Sequence, residues 1–256
     1  MPYQISIPLA LDEKTTLQKC DLLRPWHAMF YAWLEAGNAE LAHHIHDTAE
    51  PKPFTVGFLE STNEHELKLP ITLLDDSLWQ PFQNGLFRNN EYVVQGQTFC
   101  IGKDLDVQHL TYEALWERAR PDSSITLRFA SPASFHTQGH HYPLPDPFLV
   151  FQSYLLRWNH FVPEPLQINI NLLDAVNAHV VVADYQLRTK SVDFGGYRQI
   201  GCLGTVRYQI LERAKLGNLV RRLNTLADYA PFCGTGHKTT QGMGRTLRIE
   251  RKSTNL

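Results

Sequence analysis

The sequence predicts an α+β fold class arranged as two small domains, and three observations predict it. The chain has 256 residues, more than one hydrophobic core of ordinary size organises, so two units of roughly 100 to 150 residues are expected. Hydrophobic spacing switches repeatedly between a period of two, which marks strands, and a period near 3.6, which marks helices. The order β-α-β-β-α-β can be read twice along the chain, which implies tandem ferredoxin-like units.

Each element follows from local pattern. Residues 3–10 (YQISIPLA) alternate apolar and polar positions and read as a strand. Leu22, Leu23, Trp26, Met29, Phe30, Trp33 and Leu34 then keep helical spacing. Gly37 and Asn38 interrupt that helix, and ELAHHIHD resumes it until Pro51 and Pro53 forbid continuation, which leaves His46 near a helix end. PFTVGFL and HELKLPITL read as strands, DDSLWQPFQNGLF as a short helix and EYVVQGQTFCIG as one further strand. YEALWERAR is helical and runs to Pro121-Asp122, where the boundary between domains 1–121 and 122–256 is expected.

The second half opens on SITLRFA, a period-two strand, followed by SPASFHTQGHHYPLPDP, expected as an irregular loop. DPFLVFQSYLLRWNHF has an acidic start and helical spacing. AHVVVADYQLRT and YRQIGCLGTVRYQIL form two antiparallel strands around Gly195-Gly196. ERAKLGNLVRRLNTLADYA is a basic amphipathic helix, and a glycine-rich stretch leads to a last strand, GRTLRIER.

Composition narrows the class. Hydrophobic residues at 43% and charged residues at 20% exclude a disordered or membrane-embedded chain. The start, MPYQISIPLALDEKTT, lacks a basic region before an apolar core, and no apolar run approaches 18 residues, so neither secretion nor membrane insertion is expected. Cys20, Cys100, Cys202 and Cys233 lack the spacing of a zinc knuckle and read as reduced cytosolic thiols. Net charge is only −2, yet residues 188–256 hold 13 of the 24 Lys and Arg and only 4 of the 26 Asp and Glu. That asymmetry is the footprint of a domain that meets phosphates.

The most specific motif is FCGTGHKTTQGMGRTL, with Gly234, Gly236, Gly242 and Gly244 set among Lys238 and Arg245. Glycines let a backbone approach a ligand, and free N–H groups in such a loop hold phosphate oxygens. The spacing fits neither GxxxxGK[ST] nor GxGxxG, so no nucleotide cofactor is expected.

This G-x-G-x-K-T-x-x-G-x-G segment, after a helix and before a final strand, resembles the hallmark of the CRISPR-associated repeat-processing endoribonucleases. LAHHIHD resembles the His-Asp segment of that family, and SPASF with the following Gly139 resembles its Ser-Pro-Thr-x-Phe segment, Ala133 replacing the threonine. The resemblance implies a metal-independent endoribonuclease that cuts CRISPR precursor RNA within its repeats. A 2′-hydroxyl attacks the adjacent phosphate and leaves a cyclic phosphate. It implies CRISPR repeat RNA as partner, other subunits of an interference complex as further partners, and a prokaryotic cytoplasm as location. By motif position His46 is the general acid or base, Tyr31 orients or donates a proton, and Lys52 stabilises charge on the phosphorane. RNA contacts fall to the glycine-rich segment (Gly234, Gly236, Lys238, Gly242, Gly244 and Arg245) and to Arg188, Lys190, Arg221 and Arg222, with Arg198 and Lys215 as further cations.

Two other readings compete. His43, His46 and Asp47 lie three and four residues apart on one helix face, and His136, His140 and His141 would complete a metal site only through an unforeseen fold contact. The glutamate of HExxH is missing, so no metal is expected. The chain would otherwise be a non-catalytic RNA-binding subunit, since ferredoxin-like pairs bind RNA in proteins that cut nothing. Tyr197 and Tyr208 would stack bases or pack in a core.

Overall fold

The computed structural model describes residues 1–11, 23–61 and 66–250. Cys20, Leu22, His65 and Arg251 lie outside the described residues. Two compact units emerge, one of Met1–Thr111, Asp193–Tyr197 and Lys238–Met243, the other of Tyr112–Val192, Arg198–His237 and Gly244–Leu256.

The first unit runs β1 (Tyr3–Leu11), α1 (Leu23–Gly37), α2 (Ala39–Asp47), β2 (Phe54–Val56), β3 (Glu60–Ser61), β4 (Glu66–Leu73), α3 (Trp79–Leu86), β5 (Glu91–Val94), β6 (Gln97–Ile101) and β7 (Asp106–His109). Its sheet has the order β2-β4-β1-β6-β5, with β3 added to β4 and β7 to β1. Among β1, β2, β4 and β6 the order is second, third, first, fourth, that of a ferredoxin-like unit. Ile5 pairs with Ile71, Ile7 with Leu69 and Leu9 with Leu67, so one face of the sheet is aliphatic and buried. Trp26, Phe30, Trp33 and Leu34 of α1 and Phe82 and Leu86 of α3 cover it, as their helical spacing requires. The two helices meet at glycine: a Cβ on Gly85 would sit 1.6 Å from the Trp33 carbonyl oxygen. Helix α1 ends at Gly37, and the Asn38 side chain caps α2 by accepting from the Leu41 N–H at 3.0 Å. EYVVQGQTFCIG, expected as one strand, is the hairpin β5–β6. Gln95 (φ 51°) and Gly96 (φ 77°) make the two-residue turn with both φ positive that matches strand twist.

The second unit runs α4 (Tyr112–Arg118), β8 (Ser124–Ala133), β9 (Phe135–Thr137), β10 (His140–Tyr142), α5 (Pro147–Phe161), α6 (Leu172–His179), β11 (Val180–Asp193), β12 (Arg198–Ile210), α7 (Arg213–Leu216), α8 (Asn218–Cys233) and β13 (Thr246–Ile249). Its sheet order β11-β12-β8-β13 is again second, third, first, fourth. Asp146 caps α5 by accepting from the Phe148 and Leu149 amides, with Pro147 at the first helical position. Leu127, Phe129, Val206 and Tyr208 from the sheet pack with Phe151, Tyr154 and Trp158 of α5 and Leu223, Leu226 and Tyr229 of α8.

One more expectation changes here, and one open reading is decided. SPASFHTQGHHYPLPDP, expected as an irregular loop, completes β8 and then forms the hairpin β9–β10, closed by Gln138 (φ 50°) and Gly139 (φ 80°). Tyr208, weighed as a stacking platform for bases, is fully buried and its hydroxyl donates to the Pro145 carbonyl at 2.8 Å. Among the described residues no helix is long and apolar enough to cross a membrane.

Candidate active site

In the first unit α1 presents His27 and Tyr31 one turn apart on one face, and α2 brings His46 alongside. The ring centroids of His27 and Tyr31 are 5.2 Å apart and those of Tyr31 and His46 5.4 Å, so three polar rings form a row. Phe54 of β2 backs the row, stacking on His27 at 6.0 Å and meeting Tyr31 edge-on at 5.4 Å. Burial, and then the Glu50 carboxylate, push the Tyr31 hydroxyl up to about 12, so it stays a proton donor at neutral pH.

His27 was not singled out by sequence, and its geometry is the most informative in the unit. Its Nδ1 lies 2.9 Å from the carbonyl oxygen of Thr240, which belongs to a short 3-10 turn, Thr239–Gln241. A carbonyl only accepts, so Nδ1 carries the hydrogen and Nε2 presents a lone pair. Burial holds the imidazolium form of His27 below its usual range. The hydrogen bond to Thr240 opposes this, the nearby charges of His46 and Lys52 add to the depression, and Glu50 opposes it. The result is a neutral imidazole able to take a proton. The sequence signal was its position four residues before Tyr31, on the same helical face.

His46 is exposed, with Nδ1 3.2 Å from Asp47 Oδ1. Lys52 follows Pro51, just beyond the end of α2. Its ammonium donates to the carbonyls of Ile45 at 2.7 Å, His46 at 2.8 Å and Thr48, and so caps the C-terminal end of α2. Lys52 therefore anchors the turn that carries His46. His43, offered for the metal reading, pairs with Glu35 at 3.6 Å. Among the described residues no three His, Cys, Asp or Glu side chains converge in an arrangement able to hold a metal ion.

The glycine-rich segment is divided: Lys238 and Gly242 lie in the first unit, Gly234, Gly236, Gly244 and Arg245 in the second. Its glycines answer to close packing. A Cβ on Gly236 (φ +76°) would lie 2.3 Å from the Ser134 carbonyl oxygen. Several amides expected to face phosphate are bonded within the protein: Thr235 to Gly244 O at 2.7 Å, His237 to Ser134 O at 2.7 Å, Gly244 to Pro132 O at 2.9 Å and Arg245 to Ser131 Oγ at 2.8 Å. The Lys238 ammonium donates to the Tyr197 hydroxyl and lies 4.5 Å from the Phe194 ring centroid. Arg221 donates to the Glu117 carbonyl, and Arg222 lies 3.1 Å over Trp116. Burial, followed by the neighbouring charge of Arg221, lowers the Arg222 guanidinium, and burial lowers that of Arg245. Arg188 and Lys190 stand exposed on β11.

Comparison with known proteins agrees with the motifs. The family described as CRISPR-associated endoribonuclease Cas6 matches residues 127–246. A CRISPR-associated endoribonuclease Cas6 of Streptococcus thermophilus is 26% identical over 191 residues, 75% of this chain and 73% of that relative. Among solved structures, a Cas6 product complex is 25% identical with a TM-score of 0.83, covering 97% of this chain and 100% of that one. The Cas6 of Thermus thermophilus is 27% identical with a TM-score of 0.74, over 97% and 98%.

Proposed function

We propose, on the premise that this chain is a relative of the CRISPR-associated Cas6 endoribonucleases, that it is an endoribonuclease that cuts CRISPR precursor RNA once per repeat without a metal. The observation that carries the reading is the row His27, Tyr31, His46, in which Thr240 fixes the His27 proton on Nδ1 and leaves Nε2 as a base.

In this reading His27 Nε2 accepts the proton of a ribose 2′-hydroxyl as its oxygen attacks the adjacent phosphorus. A bond forms between O2′ and phosphorus, and the bond from phosphorus to O5′ breaks. His46 in its protonated form delivers a proton to the departing O5′. The products are a 2′,3′-cyclic phosphate and a 5′-hydroxyl. Tyr31, held protonated, donates to a non-bridging phosphate oxygen. Lys52 steadies the turn of α2 that aims His46 and adds positive charge behind it. Arg188 and Lys190, exposed on β11, supply phosphate contacts, as do Lys238 in the first unit and Arg245 in the second.

The test is incubation of the purified protein with its own repeat RNA in EDTA, beside copies carrying one 2′-deoxy residue at each position in turn. Cutting at one site, lost with one deoxy substitution and lost in His46→Ala with binding retained, is the expected result. Tight binding with no cutting assigns the chain to a non-catalytic RNA-binding subunit. Cutting abolished by EDTA and restored by a divalent ion sinks the metal-independent mechanism.

A further inference from the structure

The turn that bonds His27 is itself gripped from the side. Thr240 lies between Thr239 and Gln241, and Lys238 precedes them in the left-handed conformation (φ 60°, ψ 35°). Glycine adopts those angles freely, whereas a lysine there is strained, and such strain persists only where the surroundings over-determine it. The Lys238 carbonyl accepts from the Gln241 amide at 3.0 Å and from the Met243 amide at 3.2 Å, so its backbone closes the turn. The turn packs on α1 and β2, with Thr239, Thr240 and Met243 buried, so its displacement disturbs packed side chains rather than water.

The Lys238 ammonium reaches the segment Asp193–Tyr197, which joins β11 to β12 and belongs to the same unit as His27 and Thr240. That segment forms a seat for a cation. Phe194 and Tyr197 stack at 5.3 Å with their planes 13° apart, and the Phe194 amide donates to the Tyr197 carbonyl at 3.0 Å. The Asp193 carboxylate accepts from the Gly195 amide at 2.8 Å within the bend between the two rings. Lys238 Nζ donates to the Tyr197 hydroxyl and lies 4.5 Å from the Phe194 ring centroid and 4.9 Å from that of Tyr197. The same ammonium donates to Gln241 Oε1 at 3.4 Å. One cation thus ties both ends of the turn, residues 238 and 241, to a pair of stacked rings.

We infer that Phe194 and Tyr197 are positioning residues for the cut: by seating the Lys238 ammonium they keep the Thr240 carbonyl on His27 Nδ1. Their part in cutting rests on the reading of His27 as the base; their hold on the His27 tautomer does not.

Two measurements on the full chain test it. In the first, nitrogen NMR of the His27 ring reads its tautomer without RNA at pH 8, above the ordinary imidazole range. The parent should carry its hydrogen on Nδ1. Tyr197→Leu, at an exposed position, and Lys238→Met should each move part of it to Nε2, and Tyr197→Phe, which keeps a ring face for the ammonium, should restore it in part. A ring protonated alike in the parent and in Tyr197→Leu overturns the inference. In the second, single-turnover cutting and RNA affinity are measured together. Tyr197→Leu should cut roughly tenfold to a hundredfold more slowly at saturating RNA, as misplacement of a reacting group does, with affinity unchanged. An affinity that falls while the saturated rate holds makes Tyr197 a stacking platform for a base and overturns the positioning role. A parent that cuts no RNA while the variants still shift the tautomer sinks the RNA-processing reading and leaves the hold of the two rings on His27 standing.

Discussion

Replacing Lys52 with alanine separates two roles for its ammonium, one on the scissile phosphate and one on the helix that carries His46. The bond to Ile45 O is partly buried, whereas those to His46 O and Thr48 O are exposed and water replaces them at little cost. The partly buried bond contributes about 1 kcal/mol, and positive charge at a helix C-terminus adds about 0.3–1 kcal/mol. Lys52→Ala should therefore destabilise the first unit by about 1.3 to 2 kcal/mol, a fall in melting temperature of roughly 4 to 10 °C for a unit of this size. Loosening the last turn of α2 misplaces His46, and single-turnover cutting should slow by roughly tenfold to a hundredfold, since small misplacement of a reacting group is costly. Lys52→Arg keeps the charge but spreads it over a planar fork and should recover stability only in part. Thermal melting by circular dichroism, read beside single-turnover cleavage, decides the matter. If cutting falls a thousandfold while melting is unchanged, the ammonium acts on the phosphate and the capping argument is wrong.

His27→Ala should slow cutting by about a hundredfold to ten-thousandfold, the usual contribution of a positioned base, with RNA affinity retained in a filter-binding assay; a rate within threefold of the parent removes His27 from the mechanism. The folded state holds the His27 imidazolium below its unfolded value, so the unfolded chain binds more protons between the two. Stability from this group is full above about pH 6.5, the ordinary imidazole value, and is lost as pH falls towards the depressed one. Urea midpoints at pH 5, 6 and 7 should therefore decline less steeply in His27→Gln. Gly85→Ala places a Cβ 1.6 Å from the Trp33 carbonyl, where only backbone movement relieves the clash, and should cost about 3 kcal/mol or more in urea unfolding.

The twice-repeated ferredoxin-like order was legible because its strands and helices each bury one face, and a buried face writes its period into the sequence. The β9–β10 hairpin was not, because Phe135 is its one buried residue: with His136, His140, His141 and Tyr142 all facing water, no apolar alternation marks the strands. The β5–β6 turn escaped because Gln95 takes a positive φ that Asn or Asp usually occupies. His46, Tyr31 and Lys52 were locatable as a local cluster, and the structure brings them together. The direction of the Lys52 ammonium was not, since a cation between two prolines reads equally as solvated or bound. His27 was invisible for a different reason. Its meaning lies in Thr240, 213 residues further along, and no local pattern records a tautomer set at that range. The glycine-rich segment shows the opposite case. Its position was clear, but glycine suits a loop that other backbone crowds as well as one that a ligand approaches, and here Ser134 and Thr235 do the crowding.

That long reach also has a consequence in time. His27, Tyr31, His46 and Lys52 leave the ribosome early, yet the carbonyl that sets the His27 proton arrives only with residue 240. Until then the His27 ring is free to carry its hydrogen on either nitrogen, and a nascent chain stalled before that point holds the Tyr31 and His46 rings beside a His27 of unset tautomer. In the proposed reading cutting waits for residue 240, and a chain ending before Thr240 should cut repeat RNA far more slowly than the full chain.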